Sequence, residues 1–350
     1  MTAQLRLDLD IMERNAQRMA TELAALGKQW RPHVKSHSQP RIAQIMVDLG
    51  AIGITAATVP EVEVMAAAGI PSVLLAHLAV SVADRDRLAA ASRQTDLLLN
   101  IDHFVHAELY SETAVKHGIE LKLLVDVDIG MGRTGIRPRV DASQLAAAAD
   151  DLPGVSVVGI MGYEGHLLTM KDPAEKQTAI FEAMNVLEQT RDAVIERGVC
   201  CDIVSAGGSG SFWMTGQHPA VTELQAGGGA FGDLFYQEAC GLDRIESALT
   251  VVADVVSRPS LEKAVINCGR KSINPAVFPP AMKNLPGATI DYQSAEHAVL
   301  TLEGPARDLK IGDVVTVAVG YSDLTLLMHR EIHIYRGEDK VDVWPVIRRP

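Results

Sequence analysis

Nowhere in these 350 residues does an apolar run approach the ~18 that a membrane-spanning helix needs. The first ten, MTAQLRLDLD, carry charges where a secretory leader would need an apolar stretch, so the expectation is a cytoplasmic protein with no membrane association. Cationic excess is missing too. Lysine and arginine number 32 against 44 aspartates and glutamates, a net charge of −12. That balance disfavours nucleic acid and anionic membranes as partners, because binding polyphosphate needs a cationic stripe and counterion release. A local basic pocket for a small anion is still allowed. Cysteine is scarce: Cys200, Cys201, Cys240 and Cys268 show no CxxC spacing, lie in or beside apolar segments, and read as buried free thiols. With 47% hydrophobic and 22% charged residues and no low-complexity segment, the composition is that of a globular protein. The length suits one large domain, or a large one plus a small one.

What is present is alternation. Short apolar, β-rich runs at Arg31–Lys35, Ile52–Ala56, Ser72–Ala76, Asp96–Ile101, Leu121–Val127, Val155–Met161, Asp202–Ala206 and Thr222–Ala226 are separated by amphipathic stretches. Pro40–Leu49 carries Ile42, Ile45, Met46 and Leu49 at helical spacing, with Pro40 near its start and Gly50 past its end; Pro173–Arg197 is the longest such stretch. Eight strands with intervening helices predict a (β/α)8 TIM-type barrel over residues 10–241, a doubly wound open sheet being the structural runner-up. Past Gly241 the helical period stops. Ala248–Ser257, Lys263–Cys268, His297–Leu302, Asp313–Val319, Glu331–Tyr335 and Lys340–Pro345 read as strands between Gly, Pro and Asp turns. They predict a C-terminal β-rich domain of residues 242–350, which residues 1–9 join through a strand at Gln4–Leu9.

In such a barrel chemistry collects at the C-terminal ends of the strands. Those ends carry Lys35, Ser36 and His37; Thr55 and Thr58; His77; Asn100 and Asp102; Asp126 and Asp128; Tyr163, Glu164 and His166; Ser205 to Ser211; and Gln225 to Gly229. Ser205-Ala-Gly-Gly-Ser-Gly-Ser211 and Ala226-Gly-Gly-Gly229 follow the last two strands, where backbone N–H groups of glycine-rich turns suit a phosphate. The bland alternative is a pair of flexible turns. Lys35 ends an apolar strand between His33 and His37; a partly desolvated amine there forms Schiff bases with carbonyl compounds such as pyridoxal phosphate (PLP), whereas a surface lysine would do nothing. Arg133, inside Asp126-Val-Asp-Ile-Gly-Met-Gly-Arg-Thr-Gly135, could turn over the barrel mouth to a ring nitrogen or a carboxylate, or merely pair with Asp126 or Asp128.

The run Arg31-Pro-His-Val-Lys-Ser-His37, Gly53 to Glu63, Asp126 to Gly135, Gly162-Tyr-Glu-Gly-His166, Gly207 to Ser211, Glu223-Leu-Gln-Ala-Gly227 and Val341-Asp-Val-Trp-Pro345 together resemble the alanine-racemase-type (fold type III) PLP enzymes. Within that group the likeness is to the D-threonine aldolase, 3-hydroxy-D-aspartate aldolase and D-serine dehydratase family. The resemblance implies that Lys35 holds PLP and Arg133 faces its pyridine nitrogen. It further implies that Tyr163 contacts the cofactor, that Ser209, Gly210, Ser211, Gly227 and Gly228 surround the phosphate, and that the protein is a homodimer. Metal-bearing relatives carry a divalent ion on a His and, two residues later, an Asp or Cys. The matching run here is Gly320-Tyr-Ser-Asp-Leu-Thr325, with Tyr321 where the histidine would stand and Asp323 at the second position. Neutral tyrosine is a poor ligand for such ions, so the expectation is no metal, Asp323 being the surviving ligand if one is retained and His297, His329 or His333 possible substitutes. Ala57 also replaces a glutamine that some relatives place near the cofactor.

These readings predict a PLP-dependent lyase of a β-hydroxy D-amino acid, cleaving it by retro-aldol chemistry to glycine, or a small relative, and an aldehyde. Lys35, Tyr321, Asp323 and His37 are the candidate catalytic residues. Dehydration of a β-hydroxy amino acid, or racemisation with Lys271 or Tyr321 opposite Lys35, are the alternatives. A non-catalytic PLP carrier is disfavoured by the residues after Gly241, which carriers of this fold lack.

Overall fold

The computed structural model describes residues 3–347, so residues 1–2 and 348–350 of the expected strand domain lie outside the described residues. The chain packs into two compact units: residues up to Ala16 with those from Gly228 onward, and Gln17–Gly227. Gln4–Asp8 forms strand β1, followed by helix α1 (Leu9–Ala25), within which the first division falls.

In the Gln17–Gly227 unit the strands are β2 (Gln29–Trp30), β3 (Ile54–Ala56), β4 (Ser72–Leu75), β5 (Asp96–Ile101), β6 (Leu121–Asp126), β7 (Val155–Met161), β8 (Ile203–Ala206) and β9 (Glu223–Leu224). Every neighbouring pair is parallel, in the order β2-β9-β8-β7-β6-β5-β4-β3. The ring closes just past β2, where the Val34 N–H donates to the Thr55 carbonyl (2.8 Å) and the Thr55 N–H to the Pro32 carbonyl (2.9 Å). The expected (β/α)8 architecture is therefore present. Its first strand is regular two residues earlier than the apolar run suggests, because Pro32 has no N–H to keep the ladder going. Arg31 and His33 still donate to the Leu224 and Gln225 carbonyls (2.9 and 3.0 Å).

Helices α2 (Pro40–Asp48), α3 (Val59–Ala67), α4 (Val82–Ala91), α5 (Phe104–His117), α6 (Val140–Asp150), α7 (Pro173–Glu196) and α8 (Phe212–Thr215) connect the strands. In α7 the Asp172 carboxylate accepts the Ala174 and Glu175 N–H groups (2.9 and 3.0 Å), and Pro173 follows where a missing N–H costs nothing. Its Ile180, Ala183, Met184 and Leu187 are buried. Leu74, Leu98, Leu124 and Met161, on four adjacent strands, form one buried cluster, each side chain contributing about 1.5–3 kcal/mol. With period two along a strand, Asn100 and Asp126 fall on the face of Leu98 and Leu124, one step nearer the C-terminal ends.

The other unit holds β10 (Leu249–Ser260), β11 (Lys263–Ile266), β12 (Ala281–Lys283), β13 (Ala288–Gln293), β14 (Ala298–Leu302), β15 (Val314–Ala318), β16 (Glu331–Arg336) and β17 (Asp339–Pro345). β1 pairs antiparallel with β10 and parallel with β16, the long-range joining expected of the N-terminal strand. β12 and β13 fall outside the strands that the apolar pattern predicts, because they are short or mostly exposed and carry little apolar alternation. The division between units falls at residues 16/17 and 227/228, where the pattern alone suggests 9/10 and 241/242. Hydrogen bonds account for the difference. Asn15 donates to the Ala230 and Glu246 carbonyls (3.1 and 2.7 Å) and accepts from the Glu246 N–H, while Leu234 and Phe235 N–H groups donate to Val319 and Gly320. Of the four free cysteines Cys200 is exposed rather than buried; it lies in the turn after α7 with its thiol donating to Asp202 (3.3 Å). Among the described residues no helix is long and apolar enough to cross a membrane.

Candidate active site

The segment after β2 is a tight turn. His37 and Ser38 N–H groups donate to the Val34 carbonyl (2.9 and 2.7 Å), and the Lys35 N–H donates to His33 Nδ1 (3.2 Å). Buried Glu61 ties this turn to the next one, accepting from Ser38 Oγ and from the Ala57 N–H, both at 2.7 Å. Burial pushes the His33 imidazole well below its usual range, and the Lys35 and Arg133 charges push it further. His37 is buried as well, and burial lowers it to about 3. Its Nδ1 accepts the Gln39 N–H (2.8 Å), at the entry to α2. A buried imidazole so engaged is a weaker base than a free one, which counts against the general-base role expected of His37.

Arg133 sits in a loop after β6 that returns to the strand end through a single parallel bridge between Val127 and Ile136. Asp128 and Ile136 N–H groups close it on the Ile136 and Asp126 carbonyls (3.0 and 2.9 Å). The Asp128 carboxylate accepts the Gly132 and Gly130 N–H groups, both at 3.0 Å, which hold it below its ordinary range. Asp126 is raised by burial and accepts Thr134 Oγ1 (2.8 Å), while Asp102 accepts the Gly135 N–H (3.0 Å). Both loop aspartates are thus engaged by their own loop. The Arg133 guanidinium carbon lies 5.8 Å from the centre of the Tyr163 ring, a cation–π distance.

Tyr163 leads on to the glycine–serine loop between β8 and α8. A Cβ on Gly208 would meet the Tyr163 ring at 3.1 Å, and one on Gly227 would meet the His33 carbonyl oxygen at 2.2 Å, so bare backbone lies against Tyr163 at the first position and against the Lys35 turn at the second. Ser209 and Ser211 are buried. Glu164, fully buried, accepts from Ser211 Oγ (2.6 Å), from Thr215 Oγ1 and from the Gly207 N–H (3.3 Å). Lys176, also buried, reaches from α7 to donate to the Gly210 carbonyl (2.8 Å). The Gln17–Gly227 unit thus brings together Lys35, Arg133, Tyr163, Ser209, Gly210, Ser211 and Gly227. Gly228 belongs to the other unit, at the start of a 3-10 turn.

Tyr321 and Asp323 also lie in the strand-rich unit. Tyr321 Oη donates to Asp323 Oδ2 (2.8 Å), and the Tyr321 ring stands edge-on to Phe235 at 5.5 Å. Between them Ser322 donates through both N–H and hydroxyl, each at 2.7 Å, to Oδ2 of Asp233. Asp233 is buried, and burial followed by the Asp323 charge raises its carboxyl well above the usual range. A divalent ion does not fit here: the tyrosine offers a hydroxyl already given to Asp323 in place of an imidazole lone pair. His329 Nε2 lies 2.7 Å from the Ser272 carbonyl and His333 Nε2 3.1 Å from Glu331. Among the described residues no three His, Cys, Asp or Glu gather as a metal site. Residues that sequence reading left without a role are Glu61, Glu164 and Lys176. Glu164 stands in the Tyr-Glu-Gly-His run, whereas Lys176 follows Pro-Ala-Glu in a helix first turn and carries no local signal.

A family model described as the N-terminal domain of alanine racemase matches residues 7–234, and one described as a putative serine dehydratase domain matches residues 248–335. The chain is 30% identical, over 99% of its length and 92% of the relative's, to a D-threonine aldolase of an Arthrobacter species. It is 29% identical, over 99% and 91%, to a 3-hydroxy-D-aspartate aldolase of Paracoccus denitrificans. Among solved structures, the D-threonine aldolase of Filomicrobium marinum superposes with a TM-score of 0.93 at 32% identity, over 98% of this chain and 94% of that one.

Proposed function

This chain belongs to the alanine racemase-type enzyme family in its two-domain, D-threonine aldolase-like form, and from that premise we propose that it is a PLP-dependent lyase cleaving β-hydroxy D-amino acids to glycine, or a small relative, and an aldehyde. The observation that supports it most is the gathering of Lys35, Arg133, Tyr163 and the Gly207–Ser211 loop in one unit, each at the C-terminal end of a barrel strand. That donor set fits PLP: an amine for its carbonyl carbon, a guanidinium for its ring nitrogen, an aromatic ring, and a bare-backbone cradle for its phosphate. When bound, PLP supplies the electron sink for the pair released as the Cα–Cβ bond breaks. Lys35 would hold its carbonyl carbon, Arg133 would donate to its ring nitrogen, and Ser209, Gly210, Ser211, Gly227 and Gly228 are assigned to the phosphate. The Tyr321–Asp323 pair is assigned the β-hydroxyl proton, Asp323 as acceptor and Tyr321 as the group that orients it. The same reading carries a cytoplasmic homodimer, supported by the family likeness.

Borohydride treatment of the purified protein should fix PLP to a peptide containing Lys35; a label on another lysine overturns the assignment. A panel of D- and L-β-hydroxy amino acids, assayed separately for aldehyde, keto acid and inverted enantiomer, should return aldehyde from D-substrates. Dehydration is the second reading, favoured by the serine dehydratase-type match over residues 248–335, and keto acid as the main product would establish it. Asp323→Asn should lower kcat by ~10²–10⁴, the worth of one acid–base group, Tyr321→Phe should lower it less because only an orienting hydrogen bond is lost, and activity should survive exhaustive chelation. Activity lost to chelator and restored by Mn²⁺ or Zn²⁺ would instead reveal a metal held by other ligands.

A further inference from the structure

Two oppositely charged side chains, both essentially without solvent contact, hold the same short loop from different sides. Glu164, just past β7, takes the Ser211 hydroxyl (2.6 Å), the Thr215 hydroxyl and the Gly207 N–H (3.3 Å). Lys176, in the first turn of α7, donates to the Gly210 carbonyl (2.8 Å) and lies 5.2 Å from the centre of the Trp213 ring. Neither contact is needed to make the barrel, and a buried ion is costly unless another charge or several hydrogen bonds compensate it. The loop is also where a phosphate is assigned, and a lone carboxylate behind it would oppose an incoming dianion.

We propose that Lys176 is a positioning residue of the phosphate cradle: its buried ammonium cancels the Glu164 charge and fixes the Gly210 carbonyl away from the anion, so that the chain distinguishes PLP from unphosphorylated pyridoxal. This rests on the PLP reading above. Ser211 then acts as a strut, since its hydroxyl proton is spent on Glu164, and the cradle relies on the backbone of the loop and on Ser209. Glu164 gives the loop its shape, and Lys176 makes that shape tolerable to an anion.

The test is equilibrium titration of the full-length apoprotein with PLP, with pyridoxal and with inorganic phosphate, alongside a melting curve for each variant. K176M should weaken PLP and phosphate by about tenfold or more, ~1.4 kcal/mol, and leave pyridoxal within about threefold. K176R should restore most of the loss, because charge and donor return. Adding E164Q to K176M should also recover part of it, because the uncompensated carboxylate is gone while an acceptor oxygen remains. A purely structural lysine would weaken PLP and pyridoxal alike, and that result, or unchanged PLP affinity in K176M, overturns the proposal. Should K176M not fold, the PLP-to-pyridoxal ratio in K176Q decides in the same way. If wild-type chain takes up phosphate in a Lys176-dependent way but not PLP, the functional reading fails and the cradle stands.

Discussion

Glu164 in the barrel unit and Asp233 in the strand-rich unit are both acidic side chains shut away from water, and their surroundings treat them in opposite ways. Glu164 accepts three hydrogen bonds and shares its loop with a buried lysine. Asp233 concentrates everything on one oxygen, which accepts both donors of Ser322, while Oδ1 has no hydrogen-bond partner among the described residues and Asp323 adds a like charge nearby. The contrast teaches what a buried carboxylate requires. With several donors converging on both oxygens it organises a loop; with one donor residue and a neighbouring carboxylate its neutral form is favoured, and it serves as a hydrogen-bonding post.

Removing Glu164 should be the most damaging way to break the comparison. Glu164→Ala strands the Ser211 and Thr215 hydroxyls and the Gly207 N–H in the interior. The expected loss is about 3–5 kcal/mol of unfolding free energy, read from urea denaturation of the apoprotein. A loss under about 1 kcal/mol would mean that water enters and that the loop is not built on this carboxylate.

How much of this was readable beforehand depends on whether a residue's role is local. Lys35 and the glycine–serine loop announce themselves because strand ends in a (β/α)8 barrel converge, and the helical and strand periods locate those ends. Arg133 was visible as an arginine in a glycine-flanked loop, but its partner was not; Asp126 and Asp128 turned out to serve the loop itself. Lys176 was invisible because a lysine in a helix first turn looks solvated, and only the return of the β8–α8 loop buries it. For the same reason His37 looked like a base: the sequence puts it beside Lys35, and burial, which the sequence does not carry, lowers its basicity.

A milder probe sharpens the comparison by adding a buried base to the two buried acids. His37 titrates near 6.5 when unfolded and near 3 in place, burial being the cause. Because its folded value is depressed, the unfolded chain binds the extra proton, so its contribution to stability is present above about pH 6.5 and is lost progressively as pH falls toward 3. His37→Gln should remove up to one proton from the slope of stability against pH in that window, ~1.4 kcal/mol per pH unit, while leaving the alkaline side unaltered in slope. His33, lowered by burial and by Lys35, His37 and Arg133, should leave a residual slope of the same sign. A variant with the wild-type slope would place the acid sensitivity in His33 and the other buried imidazoles.

The smallest expected effect tests the other half of the contrast. Asp233 has a raised carboxyl, so its stabilising contribution is full below its unfolded value near 3.8 and declines as pH rises toward the folded one. Asparagine reproduces the neutral acid: its oxygen can accept the Ser322 N–H and hydroxyl, and its amide nitrogen stands where the acid would carry its proton. Asp233→Asn should therefore be neutral or stabilising by no more than about 1 kcal/mol at pH 8, and should lose that advantage by pH 4, measured as the difference in unfolding free energy at the two pH values. The equivalent change at the other carboxylate, Glu164→Gln, should destabilise at both, because an amide offers one acceptor oxygen where three donors converge. If Asp233→Asn instead costs several kcal/mol at pH 8, the native carboxyl is ionised and compensated, and Asp233 belongs with Glu164 as a charged organiser of the turn that carries Tyr321 and Asp323.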